Sequence, residues 1–276
     1  MPLVGGRELL FEAERLGYAV PGFNVSNVEM ALGVIDAGEA RRAPLLLQFN
    51  AGNLDHIGGL AVAAALGRTL AQRASIPIAV HLDHGTRLDR LREAAGAGFT
   101  SLMFDGSTAP FEQNVRQTRE AYAIALAAEV ALEAELGHVG GREPGVSTSE
   151  MVLTEPDAAS RFVEATRVDA LAVSVGTAHG LAGEINLDLV AALRASTRGL
   201  PLVLHGGSGV RPEQLREAVR AGIRKVNVST EIHAAFTAAV AAAEGTDPRP
   251  ALRRARAAVA EAASARIEAL GAALRA

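Results

Sequence analysis

The 276-residue chain contains no cysteine and no tryptophan, and a single lysine, Lys225, stands among its 27 basic residues. Without cysteine there is no disulfide, no thiolate nucleophile and no thiolate metal site, and the redox compartment is left open. With one lysine, a Schiff-base chemistry has only Lys225 or the N-terminal amine to use. Neither sign of charge is in large surplus: 31 acidic residues leave a formal charge of −4. That balance, with no dense Lys/Arg run, argues against nucleic acid as the main partner. No apolar stretch reaches the ~18 residues of a membrane span. The first seventeen or so residues read as a helix with a polar face rather than as a charged, apolar and cleavable leader. The expectation is a cytoplasmic protein with a small-molecule partner, no membrane and no nucleic acid. What is present is a composition of 49% hydrophobic and 21% charged residues, enough to bury a full core.

Short apolar runs recur along the whole chain, at 18–24, 44–50, 77–83, 100–105, 130–136, 169–176, 201–206 and 224–229. Helical patterns lie between and after them, at 26–42, 59–74, 87–97, 111–127, 155–167, 186–197, 211–221 and 230–243. In these, apolar residues repeat at intervals of three and four, as in Leu88, Leu91 and Ala95. Strands apolar on both faces and separated by helices predict a parallel sheet under a helical layer. Eight such units predict an α/β fold, a (β/α)8 TIM barrel forming one domain over 1–276, with an additional C-terminal helix within 251–276. A doubly wound open sheet fits less well, because no Gly-x-Gly-x-x-Gly follows the first strand. The longest irregular stretch, 137–156, follows the fifth strand and is a candidate lid.

In such a barrel the chemistry sits at the C-terminal ends of the strands. The third strand ends in His81, Asp83 and His84, the sixth runs into Thr177 and His179, and the seventh ends at His205. Alternation sends His84 away from the face of His81 and Asp83 unless the chain turns, which Gly85 permits. Any one strand-end histidine is as readily a hydrogen-bonded structural residue as a ligand. Three of them, each followed by glycine, favour convergence of His84, His179 and His205 over the barrel mouth. Three neutral imidazoles with one open position suit catalytic Zn2+. His56 and His138 read as loop residues and His233 as a packing or surface residue of its helix. Asp83, beside a ligand, would stay ionised and exchange a proton with substrate. Asp105 ends the fourth strand, and Glu133 and Glu135 share one face of the fifth, where Glu133 reads as a structural carboxylate of the barrel. Glu143, on the candidate lid, reads as a solvated loop residue or as a mobile base. HGGSG at 205–209 and NVST at 227–230 follow strands seven and eight, where many barrels bind phosphate through backbone N–H groups. Gly206 and Gly207 admit close approach of an anion, and Ser208, Ser229 and Thr230 add hydroxyls.

HLDHG (81–85), DGSTAPFEQN (105–114), EAELGHVGG (133–141), VGTAHG (175–180), HGGSG and NVST, with GFNVSNVEM (22–30), resemble the class II ketose-bisphosphate aldolases in order and spacing. The likeness runs from about residue 5 to the end and is nearest to the fructose- and tagatose-bisphosphate branch. The resemblance implies a zinc-dependent aldolase on the same barrel, a homodimer or homotetramer acting on a phosphosugar, with a second divalent ion and a monovalent cation (Na+ or K+) as further cofactors. It makes His84, His179 and His205 the zinc ligands, and Glu135 and Asp105 the holders of a second or displaced metal. It makes Asp83, Glu143 and Asn227 catalytic, with Asn227 near the enediolate. Its substrate pocket would take in Asn24, Asn50, Gly180, Gly206, Gly207, Ser208, Asn227, Val228, Ser229 and Thr230, and Arg266 of the last helix for the second phosphate. Asn50 stands where the family commonly has serine, and Thr108 where it has histidine.

Overall fold

The computed structural model describes residues 2–143, 146–148, 151–178 and 183–276. All eight expected strands form: β1 (Val20–Asn24), β2 (Leu45–Phe49), β3 (Ile78–Gly85), β4 (Ser101–Phe104), β5 (Ala131–Leu136), β8 (Ala170–Val173), β9 (Leu202–Leu204) and β10 (Ile223–Val228). They close into a barrel in the order β1-β10-β9-β8-β5-β4-β3-β2, every neighbouring pair parallel. Their residues are buried along their whole length, as strands packed between a filled interior and a helical jacket must be.

The helices fall where the 3.6-residue period places them: α2 (Val28–Arg41), α4 (Leu60–Arg73), α5 (Leu88–Ala97), α6 (Phe111–Ala127), α7 (Pro156–Thr166), α8 (Leu187–Ser196), α9 (Pro212–Ala221) and α10 (Thr230–Ala241). Helix α1 (Gly6–Leu16) packs on β1, β3, β5 and β10. It covers the N-terminal end of the barrel, and Gly6 N bonds Thr100 O just before β4. The expected tail helix is α11 (Pro248–Ala269), opened by an Asp247 cap and Pro248. It lies along α2 and α10.

Two pieces go beyond the sequence expectation. Asn50 does not continue β2 but caps a short helix, α3 (Ala51–Ile57), in a reciprocal capping box with Asn53. The stretch read as an irregular lid contains a two-stranded antiparallel hairpin, β6 (Gly141–Glu143) with β7 (Val146–Thr148). A backbone bridge between His138 and Val152 joins the chain before and after it.

Candidate active site

The mouth of the barrel is organised by the end of β3. Asp83 is 1% exposed, and both carboxylate oxygens accept amide donors. Asn24 Nδ2 reaches Oδ2 at 2.8 Å from the end of β1, and Asn227 Nδ2 reaches Oδ1 at 3.0 Å from β10. Asn24 is itself held by Gln48 Nε2 of β2, at 3.3 Å. Two amide donors on one carboxylate leave its remaining lone pairs aimed in fixed directions. Burial works to raise the Asp83 pKa, but the charges of His84, His205 and Lys225 and the Asn24 bond outweigh it and hold the group below the usual carboxylate range.

His84 reaches the same space by a backbone device that the sequence placed one residue later. His84 itself takes the left-handed conformation, with φ +50°, and the β3–β4 register slips between Leu82 and Gly85. A non-glycine residue in this region is uncommon, though histidine enters it more readily than most. Gly85 is needed for a different reason: a Cβ there would lie 2.7 Å from Met103 O and from Leu91 Cδ1.

His84 and His205 meet edge to face, with ring centroids 4.6 Å apart. His84 Nδ1 lies 2.8 Å from Asp105 Oδ2, and His205 Nδ1 lies 3.4 Å from Glu135 Oε2. Asp83, His84 and His205 each present a ligand atom within 4.8 Å of the others, and His84, Asp105 and Glu135 form a second such set. Burial opposes a charged His84, yet Asp83, Asp105 and Glu135 together raise its pKa well above that of an ordinary imidazole. Burial and the Asp105 charge push Glu135 well up, against the pull of His84. Three buried or nearly buried carboxylates around two imidazoles form a cluster short of positive charge, and Glu135 Oε2 accepts no hydrogen bond among the described residues. Nitrogen and oxygen donors without thiolate fit a borderline divalent cation. The carboxylate on His84 Nδ1 is the partner that orients a metal-binding imidazole.

Facing this cluster is the turn after β9. Gly206, at φ +68°, has Ala178 O where a Cβ would stand 2.7 Å away, and a Cβ on Gly207 would meet Val226 Cγ1 at 2.3 Å and Asn227 O at 2.8 Å. Gly207 N donates to Asn227 O at 3.1 Å. Ser208 Oγ accepts from Ser229 N and Glu231 N at 3.1 and 3.4 Å, so it caps α10 from the neighbouring turn. Thr177 Oγ1 donates to His205 O at 2.8 Å and ties the sixth strand end to the seventh. Val228 and Ser229 are buried beside the turn, and Thr230 is exposed.

The structure thus gathers Asp83, His84, His205, Asp105, Glu135, Asn24 and Asn227 around one point, with the 206–208 turn beside it. His179 and Gly180 lie outside the described residues. Glu143 is placed on β6 by its backbone, paired with Val146, and its side chain lies outside the described residues. Asn50 is buried, and its Oδ1 accepts from Asn53 N at 3.0 Å, a structural task. Arg266 is engaged within its own chain: Nε donates to Glu231 Oε2 at 2.7 Å and Nη1 to Val210 O at 2.6 Å. His233, read as a packing residue, lies with Nε2 3.0 Å from Asn24 O. Sequence reasoning passed over Gln48 and Asn53. The signals were a lone glutamine in the apolar run LLLQF and the Asn-x-x-Asn spacing of the cap.

A family model described as "Fructose-bisphosphate aldolase class-II" matches residues 4–275. A fructose-bisphosphate aldolase of Staphylococcus aureus is 37% identical over 286 residues, covering all of both chains. One from Streptococcus pyogenes serotype M3 is 41% identical over 243 residues, 86% of this chain and 82% of that protein. The crystal structure of the YdjI aldolase from Escherichia coli K12 superposes with a TM-score of 0.90 at 34% identity, covering 99% of each chain.

Proposed function

The chain belongs to the class II fructose-bisphosphate aldolase family, and from that premise we propose that it reversibly cleaves a ketose 1,6-bisphosphate, fructose 1,6-bisphosphate first among them. The products are dihydroxyacetone phosphate and glyceraldehyde 3-phosphate. The observation that carries the reading is the Asp83 carboxylate, buried and braced by Asn24 and Asn227, beside the imidazoles of His84 and His205. Retro-aldol cleavage needs a base at the C4 hydroxyl, and Asp83 is the group held to take that proton. His84 and His205, with His179, would hold Zn2+, and Asp105 and Glu135 could hold a second or displaced ion. The bound cation supplies a Lewis-acid sink for the negative charge left on the three-carbon fragment when the C3–C4 bond breaks.

The rest of the work falls to the chain. The turn of Gly206, Gly207 and Ser208, with Val228, Ser229 and Thr230, would bind the phosphate of that fragment through backbone N–H groups and hydroxyls other than the N–H groups of Gly207 and Ser229, which serve Asn227 O and Ser208 Oγ, a monovalent cation assisting. Fixing the phosphate places C3 and C4 relative to Asp83, an orientation effect that can account for several kcal/mol of a barrier. Asn227 would touch both Asp83 and the fragment's oxygens, and Glu143, on the hairpin, would return the proton to C3. The Schiff-base alternative is disfavoured by placement: Lys225 is fully buried, with its ammonium 2.7 Å from Glu133.

Side-by-side assays of fructose and tagatose 1,6-bisphosphate, on zinc-loaded and EDTA-treated protein, test this reading. Turnover of at least one sugar that disappears with the metal is expected. Activity that survives EDTA, with a borohydride-trapped adduct on Lys225, would overturn it.

A further inference from the structure

Two residues before Asp83, Glu135 and Asn227, on the same inward faces of β3, β5 and β10, stand His81, Glu133 and Lys225. They form a polar layer beneath the mouth, with side chains only 0%, 2% and 0% exposed. Lys225 Nζ donates to Glu133 Oε2 at 2.7 Å and lies 3.4 Å from His81 Nε2. His81 Nδ1 lies 2.7 Å from Ser101 Oγ. The second oxygen of Glu133, Oε1, lies 3.1 Å from Nε2 of His205.

An ion pair taken wholly out of water is seldom more stabilising than apolar side chains of the same volume. The only lysine of an arginine-rich chain therefore needs a reason to be here beyond stability. The geometry supplies one. Glu133 divides its two oxygens, one for the ammonium and one for the His205 ring. A carboxylate beside an ammonium is an acceptor only, so the ring nitrogen facing it must carry the hydrogen. In the neutral ring that a metal ion needs, this assigns the hydrogen to Nε2 and leaves Nδ1 as the nitrogen with a free lone pair. Nδ1 is the atom that faces Glu135 and the donor cluster.

We propose that Lys225 and Glu133 are a positioning pair: they lock His205 in its Nε2–H tautomer and point Nδ1 at the divalent cation. The proposal rests on the metal-dependent reading above and adds the part played by residues that touch neither substrate nor metal. Lysine suits the place because its ammonium is a compact point charge. It can serve Glu133 and His81 together where a planar guanidinium would have to be accommodated in a space already filled.

Two experiments test it. In protein carrying isotope-labelled histidine, NMR-active cadmium should couple directly to His205 Nδ1, with the proton on Nε2. Coupling to Nε2 instead would overturn the proposal, whereas no coupling to any histidine would defeat the metal reading itself. The second experiment measures Zn2+ affinity by chelator competition and the visible spectrum of the Co2+ form. Glu133→Leu/Lys225→Met, which removes both charges at once, should lose affinity by about 10- to 100-fold, the range found for other partners of metal-binding histidines. Glu133→Gln/Lys225→Met, which keeps an acceptor oxygen for Nε2–H, should recover most of that loss. Equal affinity and an unchanged Co2+ spectrum in the Leu/Met variant would contradict the pair's role. The wild-type NMR result decides the matter if that variant does not fold.

Discussion

Asp83 and His84 are adjacent in the chain and reach the same space by different means. Asp83 follows the ordinary alternation of a strand, while His84 enters by leaving it, at φ +50°. The identity of both residues was legible from position: polar side chains at the end of an apolar run have little other use. The way His84 turns was not, because glycine is the default residue for positive φ and Gly85 stood next to it. The same ambiguity covers Glu133. A carboxylate inside a barrel reads as structural, and only the 3.1 Å approach to His205 gives it a further task. For Asp83→Ala, elemental analysis should find zinc retained while kcat falls by about 10²- to 10⁴-fold, the usual contribution of a general base. A kcat near that of the wild type would remove Asp83 from proton transfer.

The turn after β9 and the start of α10 act as one unit. Ser208 links them through the backbone of Ser229 and Glu231, and Arg266 of α11 clamps the arrangement through Glu231 and Val210. The glycines of HGGSG were readable as an anion turn, and Arg266 was readable through the resemblance as a ligand for the second phosphate, while its bonds to Glu231 and Val210 belong to the folded chain. These contacts give it a bracing role at the turn beside the expected one at the second phosphate, and the two roles predict different binding losses. From the brace, Arg266→Ala should weaken binding of dihydroxyacetone phosphate and of the bisphosphate by similar factors in titration calorimetry. A loss confined to the bisphosphate would return Arg266 to the role of ligand for the second phosphate. Gly207→Ala puts a methyl group 2.3 Å from Val226 Cγ1, so the β9 and β10 ends must part. A stability loss of about 1–3 kcal/mol is expected from such overpacking. KM for the sugar should rise with it, readable from urea melts and initial rates on the same preparation.

Beneath the mouth the barrel interior carries a polar layer among its apolar side chains. His81, Glu133 and Lys225 underlie Asp83, His205 and Glu135, and α1 covers the opposite end. The carboxylates of Asp83, Asp105 and Glu135 are gathered at the mouth and repel one another, and their charges raise the pKa of His84 against the effect of its burial. A bound cation would relieve that repulsion in the folded chain alone. A divalent cation at 100 times its Kd would add about 2.7 kcal/mol to stability, roughly 5 °C in Tm for a chain of this size. Dialysis against chelator should lower the calorimetric Tm by that order, and added zinc should restore it. A Tm indifferent to metal would mean that the cluster does not bind it tightly in the folded state.

Eight apolar runs spaced by amphipathic segments pointed to a parallel sheet covered on both faces, and their number, with no Gly-x-Gly-x-x-Gly after the first, favoured the closed barrel over a doubly wound sheet. The helices followed from the apolar period, except α3, which starts at a cap formed by Asn50, the last residue of the second apolar run, with Asn53. The ligand candidates and the phosphate turn were likewise local, each residue standing at a strand end. Partnership was not local. That Asp83 is held by asparagines 59 positions before and 144 positions after it, or that Lys225 speaks to His205 through Glu133, depends on barrel closure and register. Neither periodicity nor spacing encodes which inward-facing side chains of β3, β5, β9 and β10 come within hydrogen-bond reach, since that is set by the stagger of the strands around the barrel axis.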